Sequence, residues 1–274
     1  MEDPADHGEL IGTRLRVATW NVWWRFGPWE QRQPLIIDEL RRVDADVICL
    51  QEVWGAGGTS AADVIGDALG YERIYVGLLE MEPGVGFGNA VLSRWPIAGS
   101  DHRPLPAHGA PTELRNVVRA DIDGPRGRLQ VFSTHLNWRF DHSAVRQAQV
   151  ETIAGFVQDS RPRAYPPIVC GDFNAVPSSD EIRTLTGERP VAHDLLLVDA
   201  WRHVHPTDPG FTWDNDNPFV ASQLEQNRRL DYVFAGWFKA HGAGVPVSAE
   251  LIGTEPDDGM HPSDHYGVVA ELAY

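Results

Sequence analysis

Residues 167–174 read PIVCGDFN, and the way this run ends decides the fold. Ile168, Val169 and Cys170 are apolar without the polar alternation of a half-solvated strand, which marks a strand buried on both faces. Gly171 permits close approach of another backbone. In an extended chain alternate side chains share a face, so Asp172 and Asn174 point the same way while Phe173 anchors on the opposite side. A buried strand that delivers a carboxylate and an amide at its C-terminal end feeds a site.

The same ending recurs along the chain. Asn21 closes VATWN, Glu52 closes VICLQE and His135 closes VFSTH. Asp231 lies within RRLDYVF, and Asp264 and His265 are adjacent in HPSDH, just before YGVV. Singly, each has an ordinary explanation. Glu52 reads as a solvated carboxylate, Asn21 and Asp264 as turn residues, His135 as a hydrogen-bonded histidine, and Asp231 as a partner of Arg228 or Arg229. Accidental repetition of all of them at strand ends is improbable, and the set predicts one shared rim.

Strand-like runs occupy residues 15–23, 46–53, 71–79, 89–93, 116–122, 128–136, 167–173, 229–234 and 266–272. Helical spacing appears over 34–43, through Leu35, Ile36, Leu40 and Val43. It appears again over 143–157, through Val145, Ala148, Ile153, Phe156 and Val157, with Asp141 or Ser143 as the expected cap. Strands therefore outnumber helices, and strands apolar on both faces need cover on both. Two central sheets with helices outside meet that demand. The stretch GVGFGNA (84–90) precedes a strand rather than a helix, so it is expected as a mobile loop and not as a phosphate cradle. With no linker-like segment, residues 14–274 form a single domain behind a flexible tail, 1–13.

Composition narrows the function. The 274 residues are 42% apolar and 23% charged, which suits a globular domain with a sizeable core. The net charge of −16 disfavours a protein that grips long nucleic acid through a basic footprint, and suits capture of a divalent cation. No apolar run is long enough to span a bilayer and the start carries no signal-peptide core, so a cytoplasmic monomer without integral membrane association is expected. Cys49 and Cys170 each sit in an apolar run and read as buried thiols. Lys239 is the one lysine, leaving a single candidate for any lysine-dependent mechanism. HExxH, GxSxG, CxxC and EF-hand patterns are absent from the sequence.

Taken in order, TWN, QE, GNAVLS, STHL, GDFN, LDYVF and SDH resemble the endonuclease/exonuclease/phosphatase superfamily, from about Arg14 to the C-terminus. That group includes DNase I-like nucleases, abasic-site endonucleases, neutral sphingomyelinases, inositol polyphosphate 5-phosphatases and deadenylases. The resemblance implies a DNase I-like α/β fold: a four-layered α/β sandwich, two central mostly antiparallel sheets flanked by helices. It also implies a Mg²⁺ cofactor, for which Mn²⁺ can substitute, with Glu52 and Asn21 as first and second metal residues and Asp264 and Asp172 near a second position. Asp231 then orients His265, and either His265 or Asp172 is the base. Asn174 positions water or phosphate, and His135 donates to a non-bridging oxygen or protonates the leaving group. Histidine at 135, where some members have tyrosine, points away from the abasic-site branch. Asn89 is a further amide for phosphate.

Trp23, Trp24, Trp54, Trp138 and Trp213 follow motif strands, which predicts an aromatic rim able to stack on a base, a sugar face or a lipid headgroup. The segment 211–219 (FTWDNDNPF) is expected to form one wall, with Trp213 touching substrate. Arg115 and Arg139 are the expected phosphate-steering cations. The leading expectation is a Mg²⁺-dependent hydrolase of a small phosphomonoester or phosphodiester. A nuclease acting on DNA or RNA is the alternative, and an inactive binding module on the same fold is the third reading.

Overall fold

A computed structural model describes residues 9–107, 113–160, 164–189 and 195–274. In chain order the elements are β1 (Arg14–Asn21), α1 (Trp29–Val43), β2 (Val47–Ala56), β3 (Thr59–Ser60), α2 (Ala61–Leu69), β4 (Glu72–Glu82), β5 (Val85–Ser93), β6 (Ile97–Leu105), β7 (Arg115–Gly124) and β8 (Gly127–His135). There follow α3 (Ser143–Asp159), β9 (Ile168–Asp172), α4 (Asp180–Leu185), β10 (Leu197–Asp199), α5 (Ala200–Val204), α6 (Pro218–Ala221), β11 (Asp231–Gly236), β12 (Pro246–Ile252) and β13 (Gly267–Ala273). One sheet has the order β12-β13-β1-β2-β5-β4, with β3 added to β2, and the other β10-β11-β9-β8-β7-β6. Pairing is antiparallel except for β1 with β2 and β8 with β9, which lie at the middle of their sheets.

The period-2 alternation of the strands sorts the core into three apolar layers, hence four layers of structure. Val17, Val47, Cys49 and Val91 of one sheet meet Val131, Ile168, Cys170 and Val233 of the other. Ala18, Trp20, Ile48 and Leu50 face outward against Ile36 and Leu40 of α1 and Ile65 of α2. Phe132, Val169 and Phe234 face the other way, against Val150, Ile153 and Phe156 of α3 and Ile182 and Leu185 of α4. The expected two-sheet sandwich is therefore the observed one. Both cysteines are buried free thiols. Among the described residues no helix is long and apolar enough to cross a membrane.

Several local expectations change. Of residues 84–90 only Gly84 lies in a turn: β5 begins at Val85 and pairs on both sides. Its glycines serve close packing, since a Cβ on Gly88 would stand 2.1 Å from the Val76 carbonyl oxygen. Helix α1 starts at Trp29 and carries Pro34 inside it. The cap of α3 is His142, without a side-chain bond, rather than Asp141 or Ser143, and the Ser143 hydroxyl accepts from Gln147. Of the expected tail, residues 1–8 lie outside the described residues. Ile11 N–H donates to His241 O and Tyr274 N–H to Thr13 O, so order begins before β1.

Candidate active site

Two parallel pairs at the sheet centres put two strand ends side by side in each sheet. In the first, Asn21 lies opposite Gln51; in the second, His135 lies opposite Asp172. Strand β11 runs antiparallel to β9 with Asp231 opposite Asp172, so it begins where β9 ends. Strand β13 runs antiparallel to β1, which places residues 263–265 beside the end of β1. Topology alone thus gathers Asn21, Glu52, His135, Asp172, Asp231, Asp264 and His265 at one end of the sandwich.

Asp172 is the hub. Its Oδ2 accepts from Asn21 Nδ2 (3.1 Å) and lies 3.4 Å from His135 Nε2 and 3.8 Å from His265 Nε2. Its Oδ1 accepts the Asn174 N–H at 2.9 Å. That contact is an Asx turn, and Asn174 sits at φ 48°, so the chain has left the extended form by this point. The expected alternation past Asp172 is corrected accordingly: both side chains line the same cleft, but through a turn. Phe173 does anchor on the far side, buried against Tyr232 and Phe234. Gly171 is required at φ 152°, where a Cβ would lie 2.0 Å from Thr134 O.

His265 holds Asp231 Oδ2 at 2.8 Å through Nδ1, which turns Nε2 toward Asp172. Burial pushes its pKa down, but the carboxylates of Asp231 and Asp172 outweigh burial and lift it to about 10. His135, buried near Arg115 and His265, is held well below the ordinary histidine range and is neutral. The two histidines thus face one carboxylate in opposite charge states.

Glu52 reaches the cleft through a β-bulge. Leu50 pairs with Ala90 and Val53 with Gly88, so Gln51 and Glu52 together face Asn89. Glu52 has φ 54°, a conformation costly for a residue with a Cβ. Its Oε1 accepts from Asn21 Nδ2 (3.2 Å), while Oε2 is buried without a partner among the described residues. Burial and the Asp264 carboxylate push its pKa up to about 7. Burial pushes Asp264 to about 6, and burial with Asp231 pushes Asp172 to about 6. Crowded, desolvated carboxylates with a bare oxygen suit a hard divalent cation that prefers oxygen ligands. Glu52 and Asp264 fit such a divalent cation as oxygen donors. Asn21 fits as a positioning residue, since its Oδ1 accepts the Trp23 N–H (3.0 Å) and its Nδ2 faces the carboxylates. Asp172, Asp231 and His265 also place ligand atoms within 4.8 Å of one another, but these are engaged with each other.

For carboxylates whose folded pKa is raised, protonation favours the folded state, so stability is lost as pH rises from the unfolded value, near 4, through 6 to 7. The His265 contribution is fully present below its unfolded pKa of about 6.5 and is lost only as pH rises through 10. In EDTA, Tm should fall between pH 5 and 8. Added Mg²⁺ should raise it by several degrees at pH 8 and hardly at pH 5. Melts at both pH values, with and without Mg²⁺, check this, and an equal Mg²⁺ response at the two would contradict it.

The remaining site expectations divide. Trp23, Trp138 and Trp213 line the cleft of about 190 Å³ above these groups, joined by Phe26 and Phe140. Trp213 meets His265 edge-on at 5.0 Å, and Phe219, at the end of the expected wall, packs on Trp23 at 4.7 Å. Trp24 and Trp54 are instead core residues, their indole N–H groups bonded to Gly86 O and Gln33. The Asn89 amide is turned onto Asn116 (2.6 and 3.2 Å), away from the main cleft. Arg139 is bonded to Glu113 and lies over Trp138, which makes it a brace for that ring. Arg115 is buried and, among the described residues, makes no hydrogen bond or ion pair through its side chain. Its guanidinium lies 5.3 Å over Phe87.

Other residues of the site were assigned no individual role from the sequence. Arg32, on α1, is buried and donates to the carbonyls of Val22, Trp23, Trp24, Phe26 and Pro262 at 2.8–3.3 Å, tying the loop after β1 to the residue before Ser263. Ser263 Oγ donates to Asn21 O (2.7 Å) and Trp20 Nε1 to His265 O (2.8 Å), fixing the SDH turn against the end of β1. Asn217 Nδ2 donates to Ser263 O (2.8 Å), and Thr212 Oγ1 receives the Asp231 N–H (3.2 Å).

Comparison with known proteins places this geometry. The chain is 34% identical over 175 residues to the uncharacterized protein YbhP of Escherichia coli K12, covering 58% of this chain and 66% of that one. It is 28% identical over 212 residues to an inositol phosphosphingolipids phospholipase C of Schizosaccharomyces pombe, covering 70% and 47%. The chain therefore spans less than two thirds of the length of these curated relatives. Among solved structures, D. rerio TDP2 complexed with a single-strand DNA product superposes with a TM-score of 0.77 at 20% identity, covering 96% of this chain and all of that one, a likeness of fold. The model of the Endonuclease/Exonuclease/phosphatase family matches residues 18–265, from the first motif strand through the SDH turn, and the chain belongs to that family.

Proposed function

We propose that this protein hydrolyses the P–O bond of a small phosphate ester with Mg²⁺ at the Glu52–Asp264 end of the cleft, Mn²⁺ substituting. The observation that carries this reading is the juxtaposition of a cationic His265, held by Asp231, with Glu52 across the Asp172 hub, all opening on one aromatic cleft. Bound Mg²⁺ would neutralise charge developing on the phosphoryl oxygens.

The protein's own groups supply the rest. At pH 7 Asp172 is largely an anion and His265 a cation, so Asp172 is the base and His265 the phosphate-binding donor. Water forms the new P–O bond and gives a proton to Asp172 Oδ2. The bond to the departing oxygen breaks, and that alkoxide takes a proton from solvent. Neutral His135 donates a hydrogen bond through Nε2 to a non-bridging oxygen, and Asn174 orients water or phosphate. Arg115 adds a buried positive charge beside Glu52.

Charge supports a small substrate over a polynucleotide. The net charge is −16, and Arg228 at the cleft and Arg139 beside it are spent on acids, Glu225 and Glu113. The names of the relatives, a phospholipase C and a protein holding a DNA product, both fit P–O chemistry. A panel of nitrophenyl phosphates, nucleotides, sugar phosphates and single-stranded DNA should give turnover on small esters that EDTA abolishes and Mg²⁺ or Mn²⁺ restores. Undiminished turnover in EDTA would refute the metal assignment. Preference for DNA with a steep loss at rising salt would favour a nuclease instead.

A further inference from the structure

A second pocket, of about 410 Å³, is lined by Glu52 but not by His265. It shares Phe26, Glu52 and Trp138 with the catalytic cleft, so the two form one trough with Glu52 at the junction. Its other walls are apolar at Leu79, Met81 and Phe87 and charged at Arg115 and the Glu113–Arg139 pair. Met81 is 42% exposed and Trp138 53%, an unusual investment of large apolar side chains at a polar site. Trp138 is held in place: Arg139 covers one face of its ring and is itself anchored by Glu113. Across the catalytic cleft Arg228 lies over Phe140 and is anchored by Glu225 in the same way.

Two arms leave the phosphate position, and they differ. One runs between Trp213 and Phe140 over His265, and the other is the apolar pocket beyond Glu52. A phosphomonoester has one organic substituent and would leave one arm in water. We infer that the substrate is a phosphodiester with an apolar substituent, which seats in the Leu79–Met81–Phe87 pocket while Arg115 meets a non-bridging oxygen at its mouth. Hydrolysis adds water across one P–O bond, giving a phosphomonoester and an alcohol. This rests on the reading of the cleft as a phosphate-ester site.

Binding tests the pocket without requiring turnover. In Mg²⁺, calorimetry should give octyl phosphate, used below its micelle concentration, a Kd at least about tenfold lower than methyl phosphate, because several added methylenes leave water. Met81→Asp, a partly exposed position that tolerates a charge, should shrink that ratio to about twofold, and Leu79→Asp should do the same. Arg115→Met should weaken both ligands alike. Equal affinities in the native protein, or a tenfold ratio that survives both aspartates, would overturn the pocket assignment. In turnover, p-nitrophenyl butyl phosphate should exceed p-nitrophenyl phosphate in kcat/KM; a faster monoester would overturn the diester assignment. Octyl selectivity with no hydrolysis of any ester would leave the pocket standing and refute the hydrolase reading, whereas metal-dependent hydrolysis indifferent to the alkyl arm would do the reverse.

Discussion

Replacing Glu52 with glutamine is expected to lower kcat by at least about 1,000-fold while raising the Tm of the metal-free protein by a few degrees. The two effects have one cause. Glu52 sits on a bulge at φ 54°, one oxygen held by Asn21 and the other buried without a partner among the described residues. Burial and Asp264 together lift its pKa to about 7, so near neutrality its charge is opposed from two sides. Glutamine keeps the shape and still offers an oxygen to Asn21 Nδ2. Its NH₂ can turn to Asp264, exchanging a repulsion for a hydrogen bond. The folded metal-free state gains, and the anionic ligand is gone, so Mg²⁺ should no longer shift the melt. Were Glu52 a structural carboxylate, the same substitution would lower Tm and spare turnover. Kinetics at saturating Mg²⁺, with melts in EDTA and in Mg²⁺, distinguish the two.

How far the sequence went can be judged residue by residue. Groups carried on strand ends were legible, because a strand end has a fixed place in a sheet. The two parallel pairs then bring Asn21 beside Gln51 and His135 beside Asp172 without any loop being known. Positions that depend on backbone turns were not legible. Trp23 and Trp24 are adjacent and identical in type, yet one faces the cleft and the other the core. What separates them is a pair of left-handed residues, φ 58° and 34°, that no propensity announces. The glycines of residues 84–90 suggested mobility, whereas Gly88 serves the close approach of Val76 O. Arg32 fell before the helical spacing at 34–43 and was given no role. It is buried because carbonyls from two distant loops converge on it, a convergence that exists only in the folded chain. Arg115 and Arg139 had the same standing in the sequence, and what separates them is the ion pair that ties Arg139 to Glu113 while Arg115 lies over Phe87.

Asp231→Asn should separate the two candidate bases by pH. In the native protein Asp231 bonds His265 Nδ1 at 2.8 Å and, with Asp172, holds the imidazole cationic up to about pH 10. Asparagine can still accept the Nδ1–H bond, so geometry is largely kept, but the charge that most favours imidazolium is lost. Burial, which acts in the opposite direction, then carries the histidine pKa down toward the neutral range. If His265 works as a cation beside the phosphate, turnover at pH 8 should drop by about 100-fold to 1,000-fold and recover as pH is lowered toward 6. If His265 were the base, the native enzyme would need its rare neutral form, and lowering its pKa would raise the rate at pH 8. The two assignments therefore predict changes of opposite sign from one substitution. An NMR titration of the His265 imidazole shows whether its pKa moved, so an unchanged rate can be set against a measured charge. A rate at pH 8 that rose along with deprotonation would return the role of base to His265 and leave Asp172 as the group that orients it.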